Sequence, residues 1–332
     1  LKVGPESSGA EPGPVCYGRG GTEVTVTDAS LALGYLHPNC FADELRLDEK
    51  ASSTALEAMA RDLALSPLAA ALGIHTVTNA AMTDAIRVLT VERGYDPRDF
   101  TLVLLGGAGP VHGGAVAAAL AVGRLIVPPR PGVLAAEGLL HARIEAEAYR
   151  TFAVSADDAP ASNMAAIFSA LEDSVARQMQ GDGIEAADIA LRHSADMRYL
   201  GQSYEIEVPL SASADDRAID RAVAAFRDRY RRLYGHGSLE DAVEFVNLRV
   251  IGGVAPPKVE MPAYASPAGD ALLESRPVCF DADAGAIPTP FYRREALAAG
   301  TRLDGPAIIV QPDTTTVLRP GHGCHVDDAG NL

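Results

Sequence analysis

A chain of 332 residues is long enough for two or three domains, and with 48% hydrophobic and 22% charged residues it reads as a soluble, globular protein. Its 28 Lys and Arg against 44 Asp and Glu leave a formal net charge of −16, which argues against nucleic acid and anionic membranes as partners. A nucleotide stays admissible, because backbone N–H groups and a metal can neutralise phosphates locally. No apolar run reaches the roughly 18–20 residues of a membrane span and no signal peptide precedes the first motif. Cys16, Cys40, Cys279 and Cys324 form no C-x-x-C pair, so four reduced thiols in the cytoplasm are expected.

Residues 4–21 are dense in Gly and Pro and form either a linker or an ordered loop. The run Glu23–Thr27 alternates as a strand does, and Asp28 then sits where a helix N-cap would. Helices are expected over 50–72 and 74–93, the second placing Ile74, Val77, Ala81, Ala85 and Val88 on one face and stopping at Gly94. Phe100–Leu105 reads as a buried strand, followed by the tight turn Gly106-Gly107-Ala108-Gly109-Pro110 and an Ala-rich helix over 111–122, with Pro110 suited to its first turn. A strand at 124–127 and a helix at 133–147 complete an α/β layer pattern. Beyond residue 150 come a helix at 161–180, strands at 189–199 and 203–209, a charged helix at 216–234 and a strand at 242–251. The remainder, 258–332, reads as a small β-rich unit. The expected boundaries are thus 1–150, 151–256 and 257–332.

The strand–glycine turn–helix at 100–122 is the strongest chemical signal. Its glycines admit a ligand close to the backbone, and the helix start offers free N–H groups. No Lys follows as in a Walker loop. The dinucleotide fingerprint fails too, because His112 stands where its third glycine would and, in the other register, Ala108 where its second would. A base and ribose fit better than a phosphate cradle, and a ligand-free βα turn is the alternative. His112 is either a ligand contact or a packing residue. His236 suits a helix end, and Arg227, Arg229, Arg231 and Arg232 a solvated face. Asp313-Thr314-Thr315-Thr316 reads as strand residues. Neither a metal set nor a catalytic triad or carboxylate pair emerges, so the catalytic residues stay unassigned.

Several phrases occur in one order: GPESSGAEPGPVCYGRGG (4–21) with TVTDASLALG (25–34), NAAMTDAIRVLTVERGYDPRDF (79–100), GGAGPVH (106–112), VPPRPGVLAAEGLL (127–140), YLGQSYEIEVP (199–209), LYGHG (233–237) with VEFVNLRV (243–250), and GPAIIVQPDTTTVLRPG (305–321). Together they resemble the hydantoinase A/5-oxoprolinase family, which includes subunits of acetone-carboxylase-type enzymes. The resemblance implies an α/β fold: the second half of an actin-like ATPase domain, an α+β region and a small β-rich C-terminal domain. It implies ATP and Mg²⁺ as cofactors, with Gly106, Gly107, Ala108, Gly109, Pro110 and His112 against the adenosine and Asp28, Asn79, Asp84 and Arg87 near the cleft. The implied reaction is ATP-coupled opening of a cyclic amide, a hydantoin or 5-oxoproline. Its alternatives are ATP-dependent carboxylation of a ketone and a nucleotide-binding or assembly module without turnover. Implied partners are the cyclic amide, a hydantoinase B-type subunit or domain, and the N-terminal half of the same subunit.

The family's D-x-G-G-T phosphate loop has only an echo in Gly20-Gly21-Thr22, which lacks the Asp. The second phosphate loop would precede Leu1. This chain by itself is therefore expected to be inactive, supplying only the adenosine side. Gly113 stands where Ala is expected, and Gln311 where Glu is.

Overall fold

The computed structural model describes residues 4, 6–39, 45–213, 215–237, 241–256, 258–259, 264 and 270–332. The Gly/Pro-rich start is an ordered loop that buries Cys16 completely. Helix α1 (Val26–Ala32) follows, and its N-cap is Thr25 rather than Asp28. Asp28 stands at the third helical position and closes a reciprocal capping box with Thr25. The alternation over 23–27 therefore yields no strand, because Thr25 and Asp28 together start a helix in the middle of it. Gly34 ends the helix at φ +80°, where a Cβ would come within 2.6 Å of the Pro277 carbonyl oxygen.

Asp48 caps α2 (Glu49–Asp62), and Ser66 caps α3 (Pro67–Leu89), with Pro67 in its first turn. The break thus falls at 63–66, earlier than the expected one, with Ala64 held at φ 52°. Of the apolar face expected on α3 only Ile74 is buried. Val77 and Val88 are 38% and 49% exposed, while His75 and Thr83 turn inward. Ser30 on α1 holds the inward His75 ring, and the buried stripe is rotated away from the aliphatic one.

The expected strand at 100–105 shrinks to β1 (Leu102–Val103), leaving Phe100, Val103 and Leu105 about half exposed. Helix α4 (Gly109–Leu120) carries it to β2 (Leu125–Ile126), paired in parallel with Leu102 opposite Leu125. Helix α5 (Leu134–Leu139) is far shorter than 133–147 because the chain turns into a strand at Ile144.

The middle of the chain, Leu139–Val259, is a compact unit of its own. It contains β3 (Ile144–Ser155), α6 (Ala161–Gly181), β4 (Ala190–Tyr199), β5 (Ile206–Pro209), α7 (Asp216–Tyr234) and β6 (Val243–Val254), the strands in antiparallel order β3-β6-β4-β5. Phe168, Phe226, Phe245 and Leu248 centre its core. Gly252 lets α6 lie close, since a Cβ there would meet the Val175 side chain and, at 2.9 Å, the Met179 sulfur.

The chain then returns to the first unit with β7 (Leu272–Asp281), β8 (Gly285–Arg293), β9 (Arg302–Asp304), β10 (Ala307–Gln311), β11 (Thr314–Leu318) and β12 (Gly323–His325). One sheet runs β11-β10-β8-β7 with β10 parallel to β8, and β9 pairs with β12. Segment 257–332 is thus no separate domain: contacts join Glu260–Leu332 to Leu1–Gly138. Phe291, Ile308, Val310 and Val317 complete the core formed by Leu33, Leu56, Ile74 and Val111. The fold is mixed α/β with several sheets, and among the described residues a parallel strand–helix–strand unit is formed by β1-α4-β2. No single helix among the described residues is long and apolar enough to cross a membrane. Cys16, Cys279 and Cys324 are free thiols, and Cys40 lies outside the described residues.

Candidate functional site

The glycine turn is anchored from behind. Gly106, at φ +79°, donates its N–H to the Pro131 carbonyl at 2.7 Å. Thr314 Oγ1, on β11, donates to the carbonyls of Gly107 (2.8 Å) and Gly106 (3.3 Å). Asp313 Oδ2 accepts from the Gly132 N–H at 2.8 Å and Oδ1 from Gln311 Nε2 at 2.7 Å. The turn is therefore fixed by the 311–314 hairpin and the loop after β2, and its own side chains do not fill it.

In front of the turn lies a hollow of about 380 Å³, whose walls include Tyr17, Thr27, Gly107, Ala108, His112 and Thr315. Among the described residues no Lys or Arg lines it, and Asp313 is its one carboxylate. Such a hollow suits an uncharged ring system rather than phosphates. Gly107, Ala108 and His112 meet there. Gly106 and Gly109 shape the bend from outside it, and Pro110 lines a different hollow together with Leu104 and Gly114. A methyl on residue 113 would collide with Leu104, so Leu104 and Gly113 fit each other at this position.

His112 is 5% exposed and stacks on His75, with ring centroids 4.8 Å apart. Its Nδ1–H donates to Asn79 Oδ1 at 2.8 Å, which leaves a lone pair on Nε2. Ser30 Oγ donates to the Val26 carbonyl at 2.8 Å and accepts from His75 Nε2–H at 2.9 Å. Burial pushes the pKa of His112 down to about 4. Burial, the His112 charge and the Arg319 charge, in that order, push His75 down to about 3. Both rings are neutral at pH 7 and act through hydrogen bonds and shape. His75 and Ser30 escaped the sequence reading, the only trace being a histidine in an otherwise apolar stretch of α3.

Asn79, Asp84 and Arg87 line another hollow, of about 470 Å³. Asp84 and Arg87 pair with each other at 3.2 Å on its rim. Asp28 is not a cleft residue. It is fully buried, and its carboxylate is consumed by the N–H groups of Cys16 (2.8 Å), Val15 (3.2 Å) and Thr25 (2.9 Å) and by the Thr25 hydroxyl (2.8 Å). Burial, followed by the Asp28 charge, pushes the Cys16 thiol far up, so this cysteine is an inert core residue. His236 lies just past Gly235, which caps α7 at φ +75°, and packs edge-on against Tyr230.

The chain and its fold find matches among known proteins. The hydantoinase/oxoprolinase family model matches residues 1–148, and the model of the hydantoinase/oxoprolinase C-terminal domain matches residues 153–330. The chain belongs to the hydantoinase/oxoprolinase family. It is 34% identical to the caprolactamase subunit alpha of Pseudomonas jessenii over 338 residues, covering 98% of this chain and 48% of that one. The crystal structure of the ATP-dependent caprolactamase from the same organism superposes with a TM-score of 0.81 at 32% identity, covering all of this chain and 49% of that one. The nucleotide-free structure of acetone carboxylase also superposes with a TM-score of 0.81, at 27% identity, covering 99% of this chain and 49% of that one. The chain thus spans about half the length of the relatives it matches.

Proposed function

We propose that this chain forms the adenosine-binding wall of a subunit that couples ATP hydrolysis to the opening of a cyclic amide. The carrying observation is the hollow in front of Gly107 and Ala108. It is open to bare backbone, free of cationic side chains and of a size that small-molecule sites take, about 300–1,000 Å³. In this reading the backbone of the turn lies against the purine. His112 Nε2, its lone pair oriented by the Asn79 bond, accepts from an exocyclic amine. The β1-α4-β2 crossover and its glycine turn belong to an actin-like ATPase fold. The exposed Phe100, Val103 and Leu105 offer apolar surface to the remainder of the subunit.

The same geometry limits what the chain does with the rest of the nucleotide. Without cations the hollow leaves the phosphates to other groups. Among the described residues no three His, Cys, Asp or Glu side chains converge as a metal site. ATP, when bound, would supply a phosphoryl group that turns the amide oxygen into a better leaving group. What these residues contribute is base binding, orientation and exclusion of water.

The test is ATP-dependent ring opening of 5-oxoproline, a hydantoin or a lactam by the full-length subunit with a hydantoinase B-type partner. Release of ADP without amide turnover on any of the three counts against the reading. The equal TM-score to acetone carboxylase favours one alternative, ATP-dependent carboxylation of a ketone. Labelled bicarbonate entering acetone or acetophenone would select it.

A further inference from the structure

The 470 Å³ hollow on the α3 side of the histidine pair holds a cation that no acid or carbonyl among the described residues pairs with. Arg319, just past β11, is half-buried. Its stem passes the α4 backbone at Gly114, where an added Cβ would stand 3.3 Å from the Arg319 Cδ. Its guanidinium has neither acid nor carbonyl partner among the described residues, although it lines the hollow. The charge is felt within that space. Burial pushes the Tyr35 hydroxyl up to about 12 while Arg319 pulls the other way, and the Arg319 charge also helps keep His75 neutral. The other arginine there, Arg87, is already matched to Asp84 at 3.2 Å, so the hollow carries one net positive charge in a chain of net charge −16.

Two hydroxyls accompany it. Tyr35 and Thr83 are each 3% exposed and line the same space. Thr83 Oγ1 is buried with no hydrogen-bond partner, and the Tyr35 hydroxyl makes no hydrogen bond among the described residues. Buried polar groups ordinarily find partners, so the orphaned Thr83 Oγ1 near a guanidinium without an acid calls for a ligand. The remaining walls are mixed: Leu72, Val111, Val317 and Phe280 are hydrocarbon, while His75, Thr76, Asn79 and the Asp84–Arg87 pair are polar.

We propose that this hollow binds a small organic monoanion, with its carboxylate on Arg319 and the Tyr35 hydroxyl and its hydrocarbon body against Leu72, Val111 and Val317. One unmatched cation beside a run of apolar side chains matches one carboxylate on an apolar body. A phosphate chain would need several donors converging on it. The site is distinct from the hollow at the glycine turn and does not depend on the nucleotide reading.

Calorimetric titration of the full 332-residue chain with hexanoate, hexan-1-ol and inorganic phosphate tests it. Hexanoate is expected to saturate one site and to bind at least tenfold more tightly than either of the others. Arg319→Gln is expected to weaken hexanoate tenfold or more, Tyr35→Phe about threefold, and Arg319→Lys, which keeps the charge, less than threefold. Urea unfolding of each variant establishes that the fold survives. Hexanoate binding no better than hexan-1-ol, phosphate binding better than hexanoate, or Arg319→Gln with a wild-type urea midpoint and undiminished affinity would each overturn the proposal.

Discussion

At Asp28, one carboxylate gathers four donors from two stretches of chain and is sealed from water. Truncation to Ala strands those donors in the core, so Asp28→Ala is expected to cost about 3 kcal/mol or more in urea unfolding. A loss below about 1 kcal/mol would show the network to be dispensable. Gly107 poses the opposite case. A Cβ there would stand 3.4 Å from the Asp313 carbonyl oxygen, an ordinary contact, yet Gly107 also lines the hollow. Gly107→Val is therefore expected to leave stability within about 1 kcal/mol while weakening adenosine binding at least tenfold. Undiminished adenosine affinity in this variant would remove the turn from the site.

The histidine pair adds a pH dependence. Both imidazoles take protons less readily folded, at about 3 and about 4, than at their ordinary 6.5. The unfolded chain therefore binds more protons once pH drops below 6.5. The pair's contribution to stability is complete above that pH. It is lost on descent toward 4 and then 3, by at most about 1.4 kcal/mol per pH unit for each ring. Urea midpoints measured from pH 7.5 to 4 are expected to fall in this window, and His75→Phe is expected to flatten the curve. An unchanged slope in that variant would locate the acid sensitivity elsewhere.

At the scale of elements, legibility followed agreement between local and tertiary signals. Helix α7 lies where its sequence puts it because the Asp215 cap, the Gly235 stop and the stripe Ala218, Ala222, Phe226 and Tyr230 concur. The 23–27 run was misread because alternation is a weaker instruction than a capping box in its midst. On α3 the aliphatic stripe was the wrong guide, since Ser30 and Asn79 reward an inward His75 and His112. Nothing local reveals such partners across tens of residues. The glycine turn was legible because its chemistry is local, whereas the hairpin that braces it is about 200 residues away in sequence. Close packing in the second unit is equally specific. Gly252→Val is expected to destabilise by about 2–3 kcal/mol by forcing Val175 and Met179 of α6 off β6. A cost under about 0.5 kcal/mol would mean that α6 shifts freely.

For the molecule as a whole, the two units differ in how they are encoded. Among the described residues the core of Leu139–Val259 is built from that segment, whereas the other core joins residues before 138 to strands after 272. A fragment of residues 139–259 is accordingly expected to unfold cooperatively by itself, and a fragment of residues 1–138 is not. Circular dichroism melts of the two fragments check this. A cooperative melt of the second would show that β7–β11 are not needed to complete its core.

That discontinuity has a consequence during synthesis. Ribosomes add roughly 5–20 residues per second, so the hairpins that close the first core emerge about ten seconds or more after the helices they cover. Throughout that interval Leu33, Leu56 and Ile74 wait on the nascent chain without their lid while the intervening unit is already free to fold. The inserted segment is thus translated as a delay, and the early helices are the part of the polypeptide for which a chaperone has the most time to compete.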